Sequence, residues 1–263
     1  MNLAEKIKEL HASKYKFVIV SSGGGSNAIA SLLKVPGASN TVLEAYIPYA
    51  KESLDFYLMK KPDFYASKDT SLRMAARAYS AAKKIDQESS LSHLLGVSIT
   101  ASLSTTYEKR GDHKFHIALQ TRDFSKSISC KLEKGQRTRE EEEELVTAFV
   151  VNLLAECSEL EYDYPKIPEE VVFDEVKAEK GWAELMSNKI NYVLSEDAFP
   201  ELIFPGAFYP YHDGHKAMKD LAEQETGKKI FFEICIQNVD KPPISYHQIK
   251  KTVMQFNDSE NWV

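Results

Sequence analysis

Ser22 ends an apolar, β-branched run, Phe17-Val18-Ile19-Val20-Ser21, and three glycines follow it, Gly23, Gly24 and Gly25. Glycine inside regular structure costs about 0.5–1 kcal/mol relative to alanine. A triplet at one turn therefore has a backbone reason, either positive φ or close approach of a ligand to the main chain. A serine at a strand-to-helix turn can expose its Oγ while N–H groups of the next helix, here opening at Ser26, face an anion. Such groups hold a phosphate or stabilise an oxyanion, and a nucleophilic serine also needs a base. Thr100 and Ser102, at the end of a later strand, are second contributors to the same pocket.

A second constellation runs FPGAFYPYHDGH from Phe204 to His215. His212 and His215, three residues apart at a helix start, can donate to the triphosphate of a nucleotide, and Gly214 lets the backbone approach. Transfer chemistry of that kind is mostly positioning and charge stabilisation and needs no covalent step. The remaining candidates are weaker. His113 and His116 point to opposite faces of a strand and cannot make a compact metal site. Cys130, Cys157 and Cys235 are isolated, with no C-x-x-C pair. The run Glu140 to Glu144 reads as carboxylates favouring a helix dipole, not as metal ligands. No metal site is expected.

The elements that must position these residues follow from periodicity. Helices are expected over 2–13, 26–33, 51–59, 69–85, 139–160 and 215–225, with another around Trp182 to Val193. Strands are expected over 17–20, 41–47, 95–100, 113–120 and 125–132, and again in ELIFPGAF and KIFFEICI. Thr138 and Glu141 have the spacing of a capping box. Helices alternating with apolar strands define the fold class as α/β: a layered α/β domain over 1–161, a connector over 162–200, and a partial Rossmann-like β-α-β unit over 201–263. The connector reading rests on Pro165, Pro168 and Pro200 and on the acidic residues between them.

The chain has 263 residues, 43% hydrophobic and 27% charged, with a net charge of −6. The acidic balance argues against a nucleic-acid surface. No apolar run approaches the roughly 20 residues that span a bilayer, and the N-terminus lacks the apolar core of a signal peptide. The expectation is a cytoplasmic protein that binds a small nucleotide, with neither nucleic-acid nor membrane partners.

SSGGGS(x8)VPGAS resembles the E-S-C-T-G-G(x8)VPGAS signature of the competence-damage-inducible CinA C-terminal domain family, with Ser22 on the family serine. Gly25 falls on the first of the family's two glycines, Ser26 on the second, and Ser21 on its glutamate. TVLEAYIPYAKES resembles the next family strand, with Tyr49 on its tyrosine, and GVSITASL with GDHKFHIAL resembles the strand-loop-strand that follows. The resemblance spans about residues 15–160. It implies a homo-oligomer and deamidation of nicotinamide mononucleotide, with Ser22 and Tyr49 catalytic, Gly23 to Ser26 binding ligand, and no cofactor. Family amidases place a lysine five residues after the tyrosine; here that position is Leu54, and Lys51 lies about one helical turn earlier. The alternative is a non-hydrolytic nucleotide-binding or oligomerising module.

The second constellation is similar to the G-x-F-x-P-x-H-x-G-H motif of nucleotidyltransferases, including nicotinamide mononucleotide and phosphopantetheine adenylyltransferases. Gly206, Phe208, Pro210, His212, Gly214 and His215 fall in register. This resemblance implies ATP with Mg2+, His212 and His215 as catalytic groups, and Gly206, Phe208 and Gly214 as binding residues. Lys241 is a further candidate for a phosphate contact. The family's second basic half-site, an S-S-T-x-x-R-type stretch, does not follow His215. A half-walled crevice and an open or partner-covered edge on FFEICI are therefore expected.

Overall fold

The computed structural model describes residues 2–107, 109–179, 181–196, 199–206, 208, 210–236, 243–256 and 261–263. Its main sheet has the order β2-β1-β3-β4-β5-β6. Here β1 is Lys16–Gly23, β2 Val42–Tyr46, β3 Leu94–Ser102, β4 His113–Gln120, β5 Phe124–Leu132 and β6 Val171–Lys177. β2, β1 and β3 are parallel, whereas β3 to β6 run antiparallel to their neighbours. The switch follows the connections. Helices separate the first three strands, and a tight turn closed by Thr121 N–H on Phe124 O (2.9 Å) joins β4 to β5.

Two helical layers cover the sheet. On one face lie α1 (Leu3–His11), α2 (Ser26–Lys34) and α5 (Arg139–Cys157), packing Ile7, Leu32, Val146 and Phe149 against Phe17, Ile19 and Ile99. On the other lie α3 (Lys51–Leu58), α4 (Lys68–Ile85), α6 (Trp182–Met186) and α8 (Tyr246–Val253). There Leu54, Met74, Tyr79, Trp182 and Ile249 pack on Val18 and Val20. Phe17 to Val20 are all fully buried because both faces of β1 are covered. α4 rides close on β3: a Cβ at Gly96 would sit 2.1 Å from Tyr79 N and 2.3 Å from Ala75 O.

The segment 162–200 does more than connect, since β6 within it is the sixth strand of the main sheet, and Trp182 and Met186 of α6 enter the core. The helix expected around Trp182 to Val193 is only five residues long. Beyond it, β7 (Leu202–Gly206), α7 (Asp213–Thr226) and β8 (Ile230–Ile234) form a β-α-β unit with parallel strands. The free edge of β8 is covered by the chain itself, which corrects the expected open edge. Phe232 N–H donates to Asn261 O, Ile234 N–H to Val263 O and Val263 N–H to Phe232 O, all at 2.9 Å.

Candidate functional site

At the glycine turn, Gly23 and Gly25 adopt φ of +77° and +94°, so the turn itself requires glycine. A Cβ on Gly23 would meet Ala101 O at 2.2 Å, and one on Gly25 would meet Ile99 Cγ2 at 2.4 Å. The glycines thus serve β3 packed beside them. Ser22 lies opposite Thr100 in the β1–β3 register, and both side chains are buried. Ser22 Oγ donates to Pro48 O (2.9 Å) and Thr100 Oγ1 to Tyr65 O (2.8 Å). Strand alternation places Ser22 with Val18 and Val20 on the α3–α4 face. The N-terminus of α2 faces the other layer, where Gly25 N–H donates to Glu143 Oε2 at 2.8 Å. The structure thus brings Ser22 and Thr100 together, but separates the serine hydroxyl from the amide expected to hold an anion beside it.

The other residues of this constellation are dispersed. Tyr49 is exposed and Leu54 is core; Lys51 Nζ lies 5.7 Å over the Tyr65 ring. Ser26 is the exposed first residue of α2. Ser102 Oγ accepts from Lys109 Nζ at 2.8 Å.

Two glutamates of the acidic run turn inward. Glu142 is fully buried: its Oε1 lies 2.7 Å from His113 Nδ1, and its Oε2 accepts Ser104 N–H at 2.5 Å. Glu143 reaches Gly25 and also pairs with Arg139 at 2.9 Å. The helix phase holds the signal for both, because Glu142 and Glu143 precede core Val146 by four and three residues. His113 and His116 do face opposite layers. His116 Nδ1 lies 2.8 Å from Ser129 Oγ, its Nε2 is buried without a hydrogen-bond partner among the described residues, and burial pushes its pKa down to about 4. Among the described residues no group of three or more His, Cys, Asp or Glu could hold a metal ion.

In the second constellation, His212 caps α7 and His215 lies in its first turn. Their rings stack with centroids 3.8 Å apart and planes at 21°. His212 N–H donates to His215 Nδ1 at 3.3 Å, which puts the proton of a neutral His215 on Nε2. Burial, with His212 beside it, lowers the His215 pKa. His212 is exposed and His215 half-buried. The Gly214 position leaves room for the His212 ring, which a Cβ there would meet at 3.1 Å. Phe208 and Gly206 take structural roles. Phe208 is buried among Phe204, Phe232 and Phe256 at φ +44°, and a Cβ on Gly206 would meet its Cζ at 2.5 Å. Lys241 lies outside the described residues.

No helix among the described residues is long and apolar enough to cross a membrane. No protein-family model and no curated protein matches the sequence. Among solved structures, the chain is similar to the competence/damage inducible protein CihA from Agrobacterium tumefaciens at 15% identity, over 59% of this chain and 94% of that one, with a TM-score of 0.48. It is similar also to a competence or damage-inducible protein from Enterobacter asburiae, at 14% identity over 59% and 96% with a TM-score of 0.47. A CinA superfamily protein from Escherichia coli aligns at 12% identity over 57% and 84%, with a TM-score of 0.43. Likeness at this level concerns the course of the chain, and the roles of its residues rest on their own geometry.

Proposed function

We propose that the chain binds a nucleoside triphosphate at the start of α7, and that the six-stranded domain supports this site without hydrolysing a carboxamide. The observation that carries the reading is the stacked His212–His215 pair, at the N-terminus of a 14-residue helix that follows a parallel strand. Ligands of open α/β sheets sit outside the carboxyl ends of strands, and the positive end of the helix dipole favours phosphate there. His215 offers an Nε2–H, and His212 a second imidazole stacked on it. Both donate to phosphate oxygens when the anion draws a proton onto the pair. Mg2+ would enter with the triphosphate, held by phosphate oxygens and water more than by protein carboxylates. Binding is the part of nucleotidyl transfer these residues support, because the transfer step needs cationic groups on the opposite wall as well.

The hydrolytic reading has less support. Ser22 has a carbonyl for a partner and not a base, and a carboxylate of the chain's own occupies the Gly25 N–H. Titration calorimetry of the full chain with ATP and Mg2+ tests the proposal. His215→Ala should weaken binding about tenfold or more, the loss expected for a hydrogen bond to a charged group. Equal affinity in a His212→Ala/His215→Ala chain, or no binding at millimolar ATP, would refute it. Ammonia release from nicotinamide mononucleotide that disappears in Ser22→Ala would restore the hydrolytic reading.

A further inference from the structure

A cavity of about 350 Å³ opens between the loop after β3 and the turn before α5, lined by Ser104, Thr105, Thr106, Lys109, His113 and Lys134 among others. Two of these residues carry ammonium groups with no carboxylate partner among the described residues. Lys109 Nζ donates to Ser102 Oγ (2.8 Å) and Leu103 O (2.5 Å). Lys134 Nζ donates to Lys109 O (2.8 Å) and Arg110 O (3.3 Å). An ammonium has three donors, so each keeps one in reserve. Desolvation holds Lys109 below the ordinary lysine range, and Lys134 and Arg139 push the same way against Glu142. Among the described residues Glu142 is the carboxylate that acts on this cation, with no ion pair between them.

His113 completes the lining. It is almost fully buried, and its Nδ1 meets the Glu142 carboxylate, itself fixed by Ser104 N–H. A carboxylate only accepts, so Nδ1 carries the proton. Nε2 is then the open nitrogen of the ring, without a hydrogen-bond partner among the described residues. A carboxylate behind an imidazole fixes its orientation and its tautomer.

We propose that this cavity binds a small phosphate-type anion, with Lys109 and Lys134 supplying charge and the His113 ring lining it. The hydroxyls of Ser104 and Thr106 line the same space, and the volume falls in the range of small-molecule sites, enough for a phosphate monoester with a short organic group. Among the described residues the charges around His113 leave the cavity positive. Glu142 faces it from α5, and Lys109 and Lys134 from the two loops. Arg139 is paired with Glu143, Arg137 with Glu169, and Lys131 with Asp112.

The test is an NMR titration of the full chain, following the His113 ring signals, with inorganic phosphate in one arm and ribose 5-phosphate in the other. A saturable shift is expected, tighter for the monoester if the organic group is seated. Affinity for inorganic phosphate alone equal to that for the monoester identifies a free-phosphate site of the same chemistry. Lys134→Ala, at an exposed position that does not threaten folding, should weaken binding about tenfold. The His212→Ala/His215→Ala chain should bind as the wild type does, which separates this cavity from the α7 site. No saturable shift with either anion, wild-type affinity in Lys134→Ala, or loss of the shift in the double-histidine variant would overturn the proposal.

Discussion

Replacing His116 with asparagine should flatten the loss of stability on mild acidification. The shorter side chain keeps an amide near the position of Nδ1, within reach of Ser129, but cannot titrate. In the wild type, burial lowers the His116 pKa from 6.5 to about 4, so the neutral ring is the native form. Above pH 6.5 both folded and unfolded chains carry it neutral, and its contribution is fully present. As pH falls, the unfolded chain takes up a proton that the native chain refuses, and stability drops until the folded pKa is reached. At about pH 5 the loss from this group is ~2 kcal/mol, approaching ~3 kcal/mol below pH 4, at 1.36 kcal/mol per pKa unit. Urea unfolding at neutral pH and at about pH 5 measures it, with ~2 kcal/mol moving the midpoint by roughly 0.7 M for an m-value of about 3 kcal/mol/M. His247, whose pKa is also lowered chiefly by burial, contributes equally in both chains and cancels. Coinciding pH slopes for wild type and His116→Asn, or a His116 resonance titrating near 6.5, would refute the reasoning.

Three further outcomes follow from the geometry. Gly25→Ala puts a Cβ 2.4 Å from Ile99 Cγ2 at φ +94°, and should cost ~2–4 kcal/mol; an unchanged thermal midpoint would contradict the packing. Removing residues 261–263 frees Phe232 and Ile234 on the β8 edge, and light scattering should register self-association that grows with concentration. Ser22→Ala should lose ~1–2 kcal/mol, since Pro48 O is left without its donor, while ATP affinity stays at the wild-type value; a drop in that affinity would place Ser22 in the nucleotide site.

Much of the fold is legible because local pattern and burial agree. Phe17 to Val20 has no polar face to expose, and the capping box at Thr138 and Glu141 forms as spaced. β6 is different. It is an edge strand whose apolar Val172 and Phe173 stay half exposed and whose register comes wholly from β5, so prolines and acidic residues outweigh its pattern in the sequence. The inward turn of Glu142 and Glu143 is a matter of helix phase, invisible in a run of five identical residues until Val146 and Phe149 are set against the sheet. The run from Gly206 to His215 is plain in its spacing. Spacing cannot reveal that Gly206 and Phe208 are there to fit each other, nor that the Ser22 hydroxyl and the Gly25 amide turn to opposite layers.

The contact at Gly96 shapes how the molecule opens. Because no side chain stands between α4 and β3 at Gly96, and Ser98 Oγ closes on Ser71 O at 2.6 Å, the helix cannot lift without breaking the centre of the sheet. Its two ends hold other elements. Lys68 pairs with Asp174 of β6, Gln248 of α8 reaches Asp69, and Lys83 donates to Met186 O at the end of α6. In native-state hydrogen exchange, amides in the middle of α4 should follow global unfolding, whereas α6 and α8 can detach in smaller excursions. Such excursions break the polar clasps at the helix ends and uncover Trp182, Met186 and Ile249 on that face, while α1, α2 and α5 keep the opposite face of the sheet protected.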